Sequence, residues 1–390
     1  MNELVGPGYA DDSAVDVVAL RRDLHAHPEL AFAETRTTAV IVSTLESFGL
    51  TPVVLPGGTG VLCDIGTDGP LVALRADIDA LPLADEKTVP YRSTAAGVCH
   101  GCGHDAHTAI LLGAASVLAG RSVPGRIRLI FQPAEETVPG GAVSVLQAGA
   151  IEGVSQIFAL HCDPRLETGR IGVRAGAITA ACDHLEVKLV GSGGHTARPH
   201  LTQDVVYALG RLITDLPGLL SRRVDPRAAL SLVWGVVEAG RAANAIPVSG
   251  QLRGTLRVFD RAAWDGAELL VRRLIDEIVA PCGVQAETTY RRGVPPVVNN
   301  ASSVDLQRAA VRSALGAPAL VDTEQSMGGE DFAWYLESVP GALARLGVRA
   351  AGSPGFDLHQ GTFDIDERAL DVGVRYTVAL ALEAVAALGR

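Results

Sequence analysis

The first third of the chain alternates between helical and strand-like patterns of hydrophobic residues. Apolar positions at helical spacing predict helices over residues 13–24 and 34–48. The small apolar stretch that follows His104 predicts a third helix, which would connect two parallel strands. Four short apolar runs predict β-strands: G-V-L-C-D-I, L-V-A-L, R-I-R-L-I-F and Q-I-F-A-L. This arrangement is typical of an α/β domain with a mixed, mainly parallel sheet flanked by helices.

A different pattern begins near Ala181, where L-E-V-K-L-V alternates between apolar and polar residues. Such alternation predicts an antiparallel strand with one solvated face. The elements that follow are a helix at 202–216, strands in A-L-S-L-V-W-G-V-V-E-A-G and G-Q-L-R-G-T-L-R-V-F-D, a helix at 262–279 and a strand at 285–290. The order β-α-β-β-α-β is that of a ferredoxin-like module. We therefore predict an inserted α+β domain over residues 181–294.

The remainder of the chain returns to the first style. A helix is predicted at 302–315, a short buried strand in A-L-A-R-L-G-V, and a final helix at 367–388. The first domain is therefore expected to be discontinuous, with residues 1–180 and 295–390 on either side of the insertion.

Composition and charge limit the kind of protein. Of the 390 residues 48% are hydrophobic, enough for a large core, and the net charge of −11 argues against nucleic acid or an anionic membrane as partner. No apolar run is long enough to span a bilayer. The first residues, M-N-E-L-V-G-P-G-Y-A-D-D, lack the pattern of a signal peptide. With six scattered cysteines, the chain is expected in a reducing cytoplasm with free thiols.

Polar side chains follow three predicted strands of the first domain. Asp77 and Asp79 come after L-V-A-L, Glu135 and Glu136 after R-I-R-L-I-F, and His161 directly after Q-I-F-A-L. Because open α/β sheets bind ligands at the carboxyl ends of their strands, we expect these side chains to converge. Buried carboxylates are costly unless a cation lies nearby. The sequence therefore predicts a metal site at this edge of the sheet.

The stretch over residues 99–107, C-H-G-C-G-H-D-A-H, concentrates metal-binding side chains. Since one glycine separates Cys102 from His104, a turn can direct both side chains towards one ion. Thiolate and neutral imidazole are preferred ligands of zinc and similar metals. A redox pair is the first alternative, but a thioredoxin-like motif lacks the flanking histidines. A structural zinc site is the second, and it would need a second pair spaced as C-x-x-C or H-x-x-x-H outside this stretch, which the sequence does not contain.

The adjacent glutamates Glu135 and Glu136 indicate catalysis as well as metal binding. One carboxylate can bind an ion while the other accepts a proton from water, which are the two parts of metal-assisted hydrolysis. Two solvated surface glutamates are the simpler interpretation, but Phe131 and Pro133 indicate a partly buried position. His359, in a polar turn before the last helix, is the distant residue expected to complete the ligand set.

Motifs along nearly the whole chain resemble the M20 metallopeptidase family. The similarity is greatest to its amidohydrolase branch, which contains hippurate hydrolases, N-acyl-amino-acid amidohydrolases and auxin-conjugate hydrolases. The motifs that carry it are R-R-D-L-H-A-H-P-E-L, A-L-R-A-D-I-D-A-L-P, C-H-G-C-G-H-D-A-H, F-Q-P-A-E-E, A-L-H, G-G-H-T-A-R-P-H, N-A-I-P, G-T-L-R-V-F-D, M-G-G-E-D-F and L-H-Q-G-T-F.

The resemblance implies a site with two divalent metal ions per subunit, zinc or manganese, with cobalt and nickel as alternatives. Cys102 matches the bridging ligand, and the other matching ligands are His104, Glu136, His161 and His359. Asp77 and Asp79 stand where related peptidases carry a His-x-Asp pair of ligands, so they are expected to support the ligands rather than bind metal.

The resemblance also implies the reaction, the hydrolysis of the amide bond of an N-acyl amino acid to a carboxylic acid and a free amino acid. Glu135 matches the general base. His195 matches a histidine of the inserted domain that contacts substrate, often from the partner subunit of a homodimer. Asn244 and Arg257 match positions near the substrate carboxylate or the tetrahedral intermediate. Cys99 is a departure, because this branch often has methionine there.

Two other functions stay open at the level of sequence. One is a metal-dependent carboxypeptidase, dipeptidase or N-acetyl-diaminopimelate deacetylase of the same fold, which would differ only in its substrate. The other is a non-catalytic metal-binding protein. The intact pair Glu135–Glu136 argues against the latter, because metal binding alone needs no second glutamate.

Overall fold

The computed structural model describes residues 15–389. Their α-helices are α1 (Val17–Ala26), α2 (Thr35–Ser47), α3 (His104–Ala119), α4 (Ala142–Gln147), α5 (Val205–Arg223), α6 (Arg261–Val279), α7 (Ala301–Leu315), α8 (Ala333–Leu336) and α9 (Arg368–Leu388). Their strands are β1 (Val53–Val54), β2 (Val61–Ile65), β3 (Leu71–Asp77), β4 (Arg126–Gln132), β5 (Val154–Glu167), β6 (Ile171–Val173), β7 (Gly176–Ala177), β8 (Ala181–Val190), β9 (Gly194–His195), β10 (Ser231–Ala239), β11 (Ala245–Ile246), β12 (Ser249–Val258), β13 (Gln285–Val294), β14 (Val298–Asn299), β15 (Leu320–Asp322) and β16 (Gly341–Arg349). Short 3-10 helices lie at Pro199–Leu201, Pro226–Ala228, Ala280–Cys282 and Ala317–Ala319.

The described chain divides into two compact units. Unit 1 comprises residues 15–176, Val298–Glu324 and 331–389, and unit 2 comprises Ala177–Val297 and Gln325–Glu330. Unit 1 is thus built from three separate stretches of sequence, and it contains both ends of the described chain.

Unit 1 is built on an eight-stranded sheet with the order β1-β2-β4-β3-β5-β16-β6-β15. The central pairs β4–β3, β3–β5 and β5–β16 are parallel, as is β6–β15. The pairs β1–β2, β2–β4 and β6–β16 are antiparallel. Helix α3 connects the parallel strands β3 and β4, as the sequence predicts. The carboxyl ends of β3 and β4 consequently lie side by side, where Asp77 pairs with Gln132.

Helix α3 is the centre of the helical layer in unit 1. It packs against α1, α9 and β3, and α9 in turn packs against α7. All residues from His104 to Leu118 are buried, which explains why apolar residues lie on every side of this helix. Close packing of α3 against α9 needs a glycine, because a Cβ atom at Gly373 would lie 2.5 Å from Ile110. The helix therefore holds its amino-terminal residues in a fixed position against the sheet.

Unit 2 is an α+β sandwich. Its four-stranded sheet has the order β10-β12-β8-β13 with all neighbours antiparallel, and α5 and α6 pack against it and against each other. Strand β8 alternates strictly between buried and more exposed residues, as its sequence predicts. The chain order β8-α5-β10-β12-α6-β13 with this strand order is that of a ferredoxin-like module. The predicted fold class, a mainly parallel sheet flanked by helices together with an inserted ferredoxin-like module, is confirmed.

The predicted carboxyl-terminal ends of one strand and one helix were wrong. The strand predicted to end just before His161 continues to Glu167, because β5 keeps its parallel pairing with β16 although its residues become polar. The helix predicted to stop at Leu216 continues through Pro217 to Arg223. A proline inside a helix costs about 3 kcal/mol, but Leu216 and Leu220 are buried on the same face, and their packing extends the helix.

Some expectations fall on residues outside the described range. The predicted start of the first helix at residue 13 and the absence of a signal-peptide pattern at the amino terminus both concern residues 1–14. Within residues 15–389, no helix is both long enough and apolar enough to cross a membrane.

Candidate metal centre

The sharp turn before α3 places Cys102 beside His104. Gly103 between them has φ 91°, a left-handed conformation that favours glycine, and His104 is the first residue of α3. The Nδ1 atom of His104 lies 2.9 Å from the carbonyl oxygen of Asp79 and 3.2 Å from its Oδ1. Since a carbonyl oxygen only accepts, Nδ1 carries a proton, and Nε2 of the neutral ring has the lone pair that can bind a cation.

The second histidine of the centre comes from β5. His161 Nδ1 donates to the carbonyl oxygen of Cys162 at 2.7 Å, and its Nε2 lies 3.6 Å from Sγ of Cys102. The lone pair of Nε2 therefore faces the thiol. Cys102, His104 and His161 bring together three ligand atoms within 4.8 Å of one another.

The two glutamates lie on the loop that follows β4. Ala134, just before them, has φ 59°, an uncommon conformation for a residue with a Cβ atom. The buried Glu34 holds this residue by accepting its N–H at 2.8 Å. Beyond this point Glu135 Oε2 and Glu136 Oε1 lie 3.9 and 3.8 Å from Nε2 of His104. Both carboxylates thus reach one imidazole from neighbouring positions in the sequence.

His359 completes the cluster from the loop before α9. Its N–H donates to the carbonyl oxygen of Gly101 at 2.8 Å, and the residue has φ 59°. Its Nε2 lies 3.3 Å from Oε1 of Glu136, and 56% of its side chain is exposed. Cys102, Glu136 and His359 form a second group of ligand atoms within 4.8 Å of one another. The two groups share Cys102.

The donor atoms of this cluster fit divalent cations. Nε2 of His104 and Oε1 of Glu136 are buried and have no hydrogen-bond partner among the described residues. A buried polar atom without a partner is costly, and a bound cation would remove that cost at both atoms. The set combines a thiol, three imidazoles and two carboxylates, which suits zinc and also manganese, cobalt or nickel.

Burial and charge set the protonation of the ligands. Burial, followed by the charge of Glu136, raises the pKa of the Cys102 thiol well above its ordinary value. Burial, followed by the charge of Arg345, lowers the pKa of His161 well below its ordinary value, so this imidazole is neutral. Burial is the largest single influence on His104 and lowers its pKa, but the charges of Asp77 and Cys102 together with hydrogen bonding to Asp79 raise the pKa well above its ordinary value. The nearby carboxylate of Glu136 raises the pKa of His359.

Asp77 and Asp79 contact the histidines of the cluster, and Asp77 also forms a third group of potential ligand atoms with His104 and His107. Oδ2 of Asp79 accepts the backbone N–H of Glu136 at 2.9 Å. The backbone carbonyl oxygen and Oδ1 of Asp79 accept from Nδ1 of His104. Asp77 accepts a hydrogen bond from Nδ1 of His107 at 2.5 Å. Both side chains are fully buried, so they fix the orientation of their partners.

The remaining predicted site residues lie in unit 2. His195 in β9 is paired with Ala245 in β11, and the carbonyl oxygen of Asn244 accepts the N–H of Thr196 at 3.3 Å, so His195 and Asn244 share one two-stranded ribbon. His195 Nδ1 accepts the N–H of Ala197 at 3.0 Å, which leaves the proton of a neutral ring on Nε2. Arg257 lies on β12 and donates to the carbonyl oxygen of Met327.

Sequence reasoning missed several buried residues around the centre. Their shared property is a polar side chain that bonds to Asp77, to Arg75, to Ala134 or to the backbone beside His161; they are Glu34, Arg75, His107, Gln132 and Asp331. One signal was available for His107. Residues three apart on a helix lie on the same face, so the predicted helix places His107 on the same face as His104. The others contact residues far away in the sequence.

Residues 73–383 match the family described as "Peptidase family M20/M25/M40". The chain belongs to the M20 peptidase family. A solved Bacillus subtilis protein, described as a dinuclear metal-binding peptidase from the M20 family, superposes with a TM-score of 0.83 at 36% identity over 95% of this chain and 98% of that chain.

Two M20-related sequences illustrate the range of the relatives. An N-acetylcysteine deacetylase of Bacillus subtilis is 38% identical over 94% of this chain and 96% of its own length. A protein of Rhodococcus jostii named putative glutamate–cysteine ligase 2-3 is 54% identical over 93% of this chain, but the chain spans only 46% of that protein's length. The predicted M20 membership and class of activity, metal-dependent hydrolysis of amide bonds, are confirmed.

Proposed function

We propose that this M20 protein hydrolyses the amide bond of N-acyl amino acids, releasing a carboxylic acid and a free amino acid. The observation that carries the proposal is the pair Glu135 and Glu136, whose carboxylates both reach Nε2 of His104 from one loop. The deacetylase among the relatives, which by its name acts on N-acetylcysteine, supports an N-acyl amino acid as substrate.

Two divalent metal ions are proposed to occupy the two groups of ligand atoms that share Cys102. Bound there, such ions polarise a carbonyl group and lower the pKa of water. A soft thiolate favours zinc, while the carboxylates and imidazoles also suit manganese, cobalt and nickel. The proposed ligands are Cys102, His104, Glu136, His161 and His359.

Glu135 is proposed as the general base. Its carboxylate is partly exposed and lies at the edge of the proposed ligand cluster, where it can accept a proton from the attacking water. The same carboxyl group then delivers this proton to the nitrogen of the leaving amino acid. Since Glu136 faces Cys102 and His359, the two neighbours have separate tasks.

Residues of unit 2 are proposed to bind the substrate. His195 presents an N–H at Nε2, because Nδ1 accepts a backbone hydrogen bond, and such a donor stabilises the oxyanion that develops on the amide oxygen. Asn244 and Arg257 are proposed to bind the substrate carboxylate. We propose that unit 2, which includes the predicted inserted domain at 181–294, also forms a homodimer in which His195 serves the partner subunit.

We propose a cytoplasmic location because the cysteines are not paired in disulfides. All six are free thiols, and four of them, including Cys102, are buried. A reducing compartment keeps such thiols available for metal binding. Fractionation of the native host, with Cys102 titrated by a thiol reagent after metal removal, tests this: the protein should be found in the cytoplasmic fraction with its thiol reduced.

A substrate screen tests the proposed function. The apoprotein is loaded separately with zinc, manganese, cobalt or nickel and offered N-benzoylglycine, N-acetylcysteine, unblocked dipeptides and N-acetyl-diaminopimelate. We expect the release of free amino acid to be fastest for an N-acyl amino acid and to stop when a chelator removes the metal. Faster cleavage of dipeptides would replace the proposal with a peptidase of the same family, and a preference for N-acetyl-diaminopimelate, itself an N-acyl amino acid, would narrow the proposal to a deacetylase of that substrate.

A further inference from the structure

His107 lies between two of the proposed metal ligands. Its ring centroid is 5.5 Å from that of His104 and 4.9 Å from that of His161. It also belongs to a group of three potential ligand atoms with Asp77 and His104. By position alone His107 could therefore be a further metal ligand, and its hydrogen bonds decide between that role and another.

Both ring nitrogens of His107 are already used. Nε2 accepts the backbone N–H of Cys162 at 2.9 Å, and Nδ1 lies 2.5 Å from Oδ1 of Asp77. A peptide N–H can only donate, so the Nε2 atom must offer a lone pair and the proton must be on Nδ1. Binding a metal through either nitrogen would break one of these two buried hydrogen bonds. The ring is thus held in a single tautomer that leaves no lone pair for an ion.

Asp77, which accepts from His107, is itself fixed by a buried cluster. Arg75 donates to Oδ2 of Asp77 at 2.6 Å, to Asp331 at 2.7 Å and to Gln132 at 3.0 Å. Gln132 in turn donates to both carboxylate oxygens of Asp331, at 2.9 and 2.7 Å. Each of these side chains is buried. Asp77 therefore cannot rotate to follow a displaced imidazole.

On its other side His107 holds the backbone next to His161. The pairing of β3 with β5 ends at Arg75 and Ala159, so the N–H of Cys162 lies beyond the last residue of β5 that pairs with β3. His107 supplies the acceptor for this N–H, and the carbonyl oxygen of the same residue, Cys162, accepts the proton of Nδ1 of His161. One residue thus connects the two histidines through its N–H and its C=O groups.

We propose that His107 is a positioning residue of the metal centre, which fixes Cys162 and through it directs Nε2 of His161 towards the ion. The inference rests on the proposed role of His161 as a metal ligand. It assigns to the third histidine of the motif C-H-G-C-G-H-D-A-H a role distinct from that of His104. Partners of this kind typically change metal affinity by about 10–100-fold when they are removed.

Two substitutions separate the two contacts of His107. In His107→Gln, the side-chain oxygen can occupy the position of Nε2 and accept from Cys162, while the hydrogen bond to Asp77 is lost. In His107→Asn, the shorter amide can still donate to Asp77 but cannot reach Cys162. Zinc alone is titrated into each apoprotein in competition with a chromophoric chelator. We expect His107→Asn to bind zinc about 10–100-fold more weakly than wild type and His107→Gln to stay within about threefold.

Thr108→Val is the matched control. Thr108 is the next residue of α3, and its hydroxyl donates to the carbonyl oxygen of Asp77 at 3.1 Å without contacting Cys162. This variant loses a buried hydrogen bond on the same helix, so its thermal midpoint should fall while its zinc affinity should not. Equal affinities of wild type, His107→Asn and the control would overturn the proposal.

A measurement on the wild-type chain is independent of any folding defect. Histidine side chains are labelled with nitrogen-15, and the ring resonances are recorded before and after zinc is added. The Nε2 resonances of His104 and His161 should move, while His107 should keep a protonated Nδ1 and an unprotonated Nε2 throughout. A metal-dependent shift of Nε2 of His107 like that of the ligands would make it a ligand and overturn the proposal. If the wild-type chain binds no zinc or other divalent metal, the proposed function itself fails. That result differs from a chain that binds zinc through His107, where only the proposed role of His107 fails.

Discussion

The sulfur of Cys102 lies 3.6 Å from Nε2 of His161, although 59 residues separate them in the sequence. The first side chain comes from the turn before α3 and the second from β5, two elements that pack together in unit 1. This pair places a soft donor atom and a neutral imidazole where both could bind one ion. It also makes the thiol of Cys102 the atom whose loss should most directly weaken metal binding.

We predict that Cys102→Ala lowers metal occupancy and turnover together, whereas Cys99→Met changes both little. Cys102 belongs to both groups of ligand atoms, while Cys99 is a buried packing residue whose backbone pairs with Leu81. Metal content by mass spectrometry and kcat on an N-acyl amino acid check this. Retention of metal by Cys102→Ala together with its loss from Cys99→Met would exchange the two assignments.

The pH dependence of metal binding should reveal the same thiol. Burial, followed by Glu136, keeps the pKa of Cys102 well above its ordinary value, so binding must displace a proton. Apparent affinity should therefore fall as pH falls, by roughly tenfold per pH unit for each displaced proton. In Cys102→Ala the slope should be shallower by about one proton, because the thiol no longer has to lose one. Identical slopes for both proteins would rule out the thiolate as a ligand.

The proposed homodimer predicts complementation between two inactive variants. If His195 serves the partner subunit, a dimer of Glu135→Gln and His195→Ala chains contains one complete site and one that lacks both residues. Random exchange makes about half of the dimers mixed, so activity should return to roughly a quarter of wild type. If His195 instead serves the site of its own chain, every site in the mixture lacks one of the two residues and no activity returns.

Subunit exchange must be demonstrated in that experiment, for example by native mass spectrometry of chains with different tags. A mixture that exchanges and yet stays inactive would refute service by the partner subunit. His195→Gln is a useful companion variant, because its amide can still donate a hydrogen bond to an oxyanion and should retain more turnover than His195→Ala.

Glu34 should make the stability of the fold depend on pH. Burial, which disfavours the charged form, raises the pKa of this carboxyl from 4.5 to about 7. Between these values the folded chain holds a proton that the unfolded chain has released, so the free energy of unfolding should fall as pH rises. Glu34→Gln still accepts the N–H of Ala134 and cannot ionise. Denaturant unfolding of both proteins from pH 4.5 to 7 should therefore show wild type losing stability relative to the variant; parallel curves would contradict it.

Much of the fold and of the candidate ligand cluster could be predicted because both depend on local patterns in the sequence. The strand before Asp77 and the loop with Glu135 were recognisable from apolar runs that end in acidic residues. The extension of β5 past His161 could not be recognised in the sequence, since only the pairing with β16 keeps the polar residues of that segment in a strand. Similarly, the buried face of α5 continues beyond Pro217 and outweighs the local preference for ending the helix there.

The supporting residues were harder to predict than the ligands. Arg75 and Asp331 form an ion pair across 256 residues, and no local pattern indicates such a partner. Glu34 looked like the start of a helix, and only the fold shows that its carboxylate holds Ala134 in place. These side chains acquire their role from the packing of unit 1, so a sequence pattern identifies the ligands earlier than it identifies what orients them.

The most direct test of the central claim is the effect of Glu135→Gln on kcat and on metal content, measured on the same preparation. The claim is that Glu135 moves the proton while its neighbour Glu136 binds metal. The amide keeps the shape of the side chain but cannot accept the proton, so kcat should fall by roughly two to four powers of ten while metal content stays at the wild-type level. Near-normal turnover in a fully metal-loaded variant, or loss of the metal with the activity, would contradict it.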